Sequence, residues 1–306
     1  YSAAPRRLLD IDYAAWKKRL ETDHVASNDD AHWERLAKNS SIAFTSDRTG
    51  NKEIYSIRPD GTELQQLTHH PATDVFPAWA PDGQTIAYIS DRDGKPQVYS
   101  MSADGTSVKR LASAAVHLAP PAWSPDGKKL ALMQRKGHVG SIAILDLASG
   151  EIHTLVKGDS PSWSPDGKRC LLIQGNLSAL ALADVQSGKT SPVFSPQYAA
   201  QGAFCISPIW SPRGDQIAYG RVDSARSKTH VSVNLMVASM DQQQASNPTQ
   251  IGQALAPWCY SPDGQFLVAG TAGQHAPTQL VIVDVRGAGR QRLNVDGKCF
   301  AASWSP

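Results

Sequence analysis

Any chemistry in this chain would have to come from side chains scattered along it. The residues of the right type are His69, His70, His117, His230 and His275, with Asp74 and Asp159. Imidazoles and carboxylates that converge from several segments hold divalent cations through ring nitrogens and carboxylate oxygens. None of these histidines has the local spacing of a metal motif such as HxH or HExxH, so only the fold could assemble such a centre. Other signatures fail on inspection. There is no GxSxG nucleophile elbow and no GxGxxG after a strand. Gly188-Lys189-Thr190 has Ala183 where a phosphate loop needs its first glycine. Asp91-Arg-Asp-Gly94 opens like a calcium loop but lacks the length and the terminal Glu, and reads better as a hairpin turn. The four cysteines, Cys170, Cys205, Cys259 and Cys299, form no CxxC pair and read as small buried thiols. Asn39-Ser-Ser41 and Asn176-Leu-Ser178 fit the glycosylation acceptor pattern, which arises often by chance.

The elements that would position these groups announce themselves by repetition. One phrase recurs as Trp79-Ala-Pro-Asp-Gly83, Trp123-Ser-Pro-Asp-Gly127, Trp163-Ser-Pro-Asp-Gly167, Trp210-Ser-Pro-Arg-Gly214, Tyr260-Ser-Pro-Asp-Gly264 and Trp304-Ser-Pro306. Its aromatic positions are 44, 40, 47, 50 and 44 residues apart. That period matches one four-stranded propeller blade. Within residues 74–111, Asp74–Trp79 is an extended run, Pro81-Asp82-Gly83 turns it, and Thr85–Ser90 returns in alternating β-branched fashion. Gln97–Met101 and Ser107–Leu111 supply two more strands. The same order predicts blades at 117–155, 159–194, 205–252 and 254–294. The first blade has only three strands of its own (Ile42–Ser46, Glu53–Ile57 and Leu64–Thr68), and Cys299–Trp304 supplies its missing inner strand. The prediction is an all-β, six-bladed propeller over 41–306, closed by a C-terminal inner strand so that no sheet edge is left open.

Residues 1–40 are expected to form a helical N-terminal arm. Leu9, Tyr13, Trp16 and Leu20 fall at helical spacing within Leu8 to Thr22, and Asn28 or Asp29 would cap a second short helix through Trp33 and Leu36. The arm either packs on the first or last blade or serves as a docking element. The repeated aromatic is expected between adjacent blades, where each ring buries a large apolar area.

The repeat resembles the TolB-type propeller family. The resemblance rests on Pro-x-Trp-Ser-Pro-Asp-Gly, then Ile-Ala-[Phe/Tyr]-x-Ser-Asp-Arg, then Ile-Tyr with a following Asp-Gly, then Leu-Thr, and is cleanest over 42–130. Arg213 and Tyr260 depart from it. About 40 residues precede the repeats here, where the family's namesake carries an α/β domain. The resemblance implies a non-enzymatic protein- or ligand-binding scaffold of the bacterial cell envelope, periplasmic or exported, with no cofactor. TolB-type repeats also resemble those of oligogalacturonate lyases, in which channel-facing histidines and a metal assist proton abstraction from an acidic sugar. That is the alternative function, with a divalent metal at the channel mouth.

Connection lengths distinguish the two faces. Strand one-to-two turns are uniformly tight and three-to-four turns are short, except for a polar stretch, Asp241 to Pro248. The opposite face carries the longer connections, such as 68–73, 194–204, 221–230 and 270–278, and six of the nine histidines. Function concentrates on long loops held by a rigid scaffold, so this face is the candidate. Asp74, His117 and Asp159 should line the channel mouth, with His69, His70, His230 and His275 around it. A net charge of +2 provides no field for nucleic acid or an anionic membrane, and no apolar run is long enough to span a bilayer. A protein or peptide partner is expected on the long-loop face or the arm.

Overall fold

A computed structural model describes residues 26–113, 116–117, 119–137, 139–175, 179–194, 203–223, 233–241, 244–271, 279–287, 290–293, 295 and 297–306. Helix α1 (Ala26–Asn39) leads into β1 (Ile42–Ser46), β2 (Glu53–Ile57) and β3 (Gln65–Gln66). Blade two is β4 (Asp74–Trp79), β5 (Thr85–Ser90), β6 (Gln97–Ser102) and β7 (Lys109–Arg110). Blade three is β8 (Ala122–Trp123), β9 (Lys129–Lys136), β10 (Val139–Asp146) and β11 (Ile152–Lys157). Blade four is β12 (Asp159–Trp163), β13 (Arg169–Gln174), β14 (Ala179–Asp184) and β15 (Thr190–Pro192). Blade five is β16 (Ala203–Trp210), β17 (Gln216–Asp223), β18 (Asn234–Met240) and β19 (Ala245–Gln253). Blade six is β20 (Leu255–Tyr260), β21 (Phe266–Thr271), β22 (Gln279–Asp284) and β23 (Arg290–Leu293). The last strand, β24 (Cys299–Trp304), joins blade one in the order β24-β1-β2-β3. Six antiparallel four-stranded sheets therefore close into a six-bladed propeller, with Ile42 opposite Trp304 at the seam.

The recurrent phrase builds one turn and one blade contact in each repeat. The Ser124 and Ser164 hydroxyls donate to Asp126 and Asp166 at 2.6 and 2.5 Å, and accept the N–H groups of Lys129 and Arg169, both at 2.9 Å. In blade five, where Arg213 occupies the aspartate position, Ser211 donates instead to Asp215 at 2.7 Å. Each turn ends on a glycine at positive φ, and that glycine faces the proline of the preceding blade. A Cβ on Gly167 would lie 3.4 Å from Pro125, and one on Gly83 would lie 3.5 Å from Pro306. The contact runs through the closure as it does through the ordinary blade boundaries. Indole N–H groups add to it: Trp123 donates to the Ala78 carbonyl at 3.0 Å and Trp163 to the Ala122 carbonyl at 3.1 Å. The aromatic row is inter-blade packing, as expected.

The turn carboxylates tie stability to pH. Hydrogen bonds from the Ser124 hydroxyl and Lys128 N–H hold the Asp126 carboxyl below its ordinary value of 3.8. Burial pushes Asp166 upward, but the Ser164 hydroxyl and Lys168 N–H outweigh it, and Asp166 too is lowered. Folding therefore favours the ionised form. The stabilisation is fully present above pH 3.8 and is lost as pH falls through the depressed folded-state values. The urea midpoint is expected to decline below about pH 4. An Asp126→Asn/Asp166→Asn variant should start lower at neutral pH and show a shallower acid decline. An equally steep decline would place the sensitivity elsewhere.

A second regularity lies three residues before the aromatic. Phe76, Ser160, Ser207 and Ala301 all take positive φ there, between 45° and 58°. The ladder register shifts at each of these places, a bulge that kinks the inner strand. Blades three and six carry Pro120 and Pro257 at this position. Proline fixes φ near −65° and is barred from the conformation.

Helix α1 begins before the expected caps, so Asn28 and Asp29 lie inside it rather than at its start. Once nucleated, a helix gains one backbone hydrogen bond per added residue, which favours the longer element. Trp33 and Ala37 bury against blades six and one, with the Trp33 ring edge-on to Phe266 at 5.2 Å. His32 Nε2 lies 2.5 Å from the Asp263 carboxylate, and the Trp304 indole donates to Ser40 at 2.8 Å. The expected helix over 8–22 lies outside the described residues. Within the polar stretch Asp241 to Pro248, Asp241 and Gln244 exchange backbone hydrogen bonds and Ala245–Pro248 belong to β19.

All four cysteines are free. Burial pushes the Cys170 thiol up to about 12 and Cys205 to about 11. Alkylation at pH 8 is therefore expected to be slow at these two in the folded protein and rapid in urea. Fast native labelling of Cys170 would contradict its burial.

Candidate functional site

An antiparallel meander sends its strand two-to-three and four-to-one connections to the same side. The long-loop face is built from these connections and from the first residues of the inner strands. Asp74 opens β4 with its side chain 0% exposed. Both of its carboxylate oxygens accept from Nη2 of the Arg92 guanidinium, at 2.9 and 3.1 Å. Arg92 lies over Tyr99, 4.8 Å from the ring centroid, and donates through Nε to the Ser90 hydroxyl at 2.9 Å. Burial works against the Arg92 charge, but Tyr88, Asp74 and Tyr99 together raise its pKa above the ordinary value. Tyr99 in turn donates to Asp93 at 2.6 Å, and burial with this bond pushes its phenol up to about 12. Asp74 thus seals the wall of the mouth and has no surface left for a ligand.

The other expected residues are placed as follows. His69 is exposed, and the half-buried His70 accepts the Ala72 N–H through Nδ1 at 3.1 Å. His117 is half-buried in the connection before β8, where its backbone N–H donates to the Met133 carbonyl at 2.7 Å. Asp159 opens β12 and faces Arg135 at a loose 3.8 Å. His230 and His275 lie outside the described residues. Among the described residues no three His, Cys, Asp or Glu side chains are grouped to hold a metal ion.

The structure brings forward a different set. Phe76 and Phe300, on neighbouring inner strands, meet edge-on at 6.4 Å and are both half-buried. Lys52 reaches across, with Nζ 5.7 Å from the Phe300 ring centroid. Lys298, exposed, precedes β24, and its backbone N–H donates to Asp47 at 2.9 Å. Phe76 and Phe300 stand three and four residues before their blade's tryptophan, so their position on the inner strand was readable from the sequence. Their contact was not, because it crosses the ring closure.

The short-turn face has a groove of about 430 Å³ between blades three and four, lined by Asp126, Lys129, Trp163, Asp166, Lys168 and Asp184. Its carboxylates are committed to their own turns, Asp184 accepting from the Ser187 hydroxyl at 2.7 Å. No helix among the described residues is long and apolar enough to cross a membrane.

Residues 37–201 match the family model described as the TolB beta propeller domain. Among solved structures, TolB from Acinetobacter baumannii matches with a TM-score of 0.76 at 19% identity, over 90% of this chain and 70% of that one. A putative TolB from Agrobacterium tumefaciens matches with a TM-score of 0.61 at 18% identity, over 87% and 97% of the two chains. An oligogalacturonate lyase in complex with manganese matches with a TM-score of 0.58 at 15% identity, over 84% and 74%. At these identities the structural matches speak for the fold alone. No curated protein sequence matches the chain.

Proposed function

Because this chain belongs to the TolB beta-propeller family, we propose that it is a non-enzymatic scaffold of the bacterial cell envelope that holds a protein or peptide partner on its long-loop face. The observation that carries the reading is the half-buried aromatic pair Phe76 and Phe300 at the mouth, flanked by Lys52 and Lys298 on a rigid closed ring. Aromatic rings are enriched at protein recognition surfaces, and lysines around them steer encounter from the rim. For the periplasmic part of this proposal the support is the family resemblance.

A photo-crosslinking amino acid placed at Lys298, and separately at Lys128 on the short-turn face, tests the reading in cells. A discrete adduct is expected from position 298 and none from position 128. Equal adducts from both faces, or none from 298, would refute it.

A further inference from the structure

Equivalent residues recur at the blade boundaries, but the boundaries are not filled alike. At the seam between blades six and one, helix α1 covers the short-turn face. His32 Nε2 meets Asp263 Oδ2 at 2.5 Å, and Trp33 packs edge-on against Phe266. The Trp304 indole donates to the Ser40 hydroxyl, and the Arg58 guanidinium donates to the Lys38 carbonyl. Counted from each blade's aromatic, Asp263 and Phe266 correspond to Asp126 and Lys129 of blade three, and Trp304 corresponds to Trp163 of blade four. Arg58 follows β2 as the turn at Asp184 closes β14. Asp126, Lys129, Trp163 and Asp184 all line the groove of about 430 Å³ between blades three and four. That groove is the counterpart of the seat held by α1, on the opposite side of the ring.

A turn aspartate uses only half of its carboxylate on the turn, and Asp263 shows what the other half does. Its Oδ1 accepts from the Ser261 hydroxyl and the Gln265 N–H, which leaves Oδ2 for His32. Asp126 serves Ser124 and Lys128 through Oδ1, and Asp184 serves Ser187 through Oδ1. Their Oδ2 atoms enter no ion pair among the described residues. Nor does the groove fill itself. One boundary further on, Arg169 stands where Lys129 does and lays its guanidinium over the Trp210 ring at 5.5 Å. Lys129 is half-buried and covers no ring among the described residues.

We propose that this groove seats a helix of a partner protein that carries a cation beside an aromatic residue, as α1 carries His32 beside Trp33. The cation pairs with Oδ2 of Asp126, and the ring lies over the Lys129 ammonium, where Trp33 meets Phe266 at the seam. The chain's own α1 is not that helix, because Trp33 is 3% exposed and its departure would open the core at the seam. The seat lies away from the mouth and is independent of the adduct expected at position 298. Lys128 does not line it, whereas its blade-four counterpart Lys168 does. By the repeat, Lys128 belongs to the boundary between blades two and three, so a crosslinker there is silent for this groove.

The probe is a fluorescein-labelled peptide of sequence Ala26–Asn39, stapled between positions 34 and 38, both exposed in the protein. Anisotropy should show it binding to the whole chain. A photo-crosslinking phenylalanine analogue at position 33 of the peptide should attach within 124–129 or 163–168. In the peptide, Trp33→Ala should weaken binding about thirtyfold. In the protein, Lys129→Glu should weaken it about tenfold and Asp126→Asn about threefold. Asp263→Asn, confined to the seam, should change it less than about twofold. Circular dichroism checks that each variant is folded. Attachment at Phe266, or an affinity that follows Asp263→Asn and ignores Lys129→Glu, would mean that the peptide displaces α1, and overturns the inference. Absence of binding overturns it as well. A dimer of the whole chain that Lys129→Glu dissolves would make a second copy the occupant and also overturn it.

Discussion

A chain lacking Cys299–Pro306 is expected to lose its cooperative unfolding transition and to aggregate. β24 is an inner strand, paired with β1 and packed beside β4 and β20. Its Cys299 is 0% exposed and its Trp304 6% exposed, both within the cluster that also holds Trp33, Phe44 and Phe266. Truncating one such buried tryptophan to alanine costs about 3–5 kcal/mol. A whole domain is stable by about 5–15 kcal/mol, so removing the strand, its ladder and its packing consumes most or all of that. It also leaves β1 with an open hydrogen-bonding edge, which recruits other chains. Size exclusion and urea unfolding followed by circular dichroism provide the readout. A truncated monomer that melts within a few degrees of the full chain would mean that the seam is not what holds the ring.

Replacing Arg92 by alanine is expected to destabilise the protein by about 3–5 kcal/mol, because the carboxylate of Asp74 is then left buried and uncompensated. Lysine should rescue it poorly, since an ammonium can face Asp74 but cannot at the same time donate as the Arg92 Nε does to Ser90 and lie flat over the Tyr99 ring. The double variant Arg92→Ala/Asp74→Ala should be more stable than Arg92→Ala alone, because the isolated charge disappears with its partner. Urea midpoints of Arg92→Ala, Asp74→Ala and the double variant decide the matter. If the two single losses simply added in the double variant, the pair would not be coupled.

The architecture was legible because it is written in local chemistry that repeats. Trp-Ser-Pro-Asp-Gly encodes a turn by proline, a carboxylate acceptor and a glycine at positive φ, and six copies at blade spacing close a ring. The substitution at Arg213 was legible only as a departure, because its replacement, Asp215, stands two residues on. The positive-φ kink of the inner strands of blades one, two, four and five was invisible, since Phe76, Ser160, Ser207 and Ala301 share no type and none is the glycine that positive φ usually demands. The site was the least legible part. Asp74 looks like a mouth ligand until Arg92, eighteen residues away, is seen to cap it. Phe300 joins Phe76 only because β24 returns beside β4. Long-range contacts of this kind follow from ring closure and leave no mark in composition or periodicity.

The indoles of Trp123 and Trp163 donate to carbonyls on the neighbouring blade, so each sits on a joint between sheets rather than inside one. Their light emission therefore gauges how far adjacent blades have parted, and fraying at an outer strand should leave it unchanged. The difference in emission between the protein and its Trp123→Phe variant would report the joint between blades two and three by its colour. Strain applied at the mouth would then be readable from the far side of the molecule.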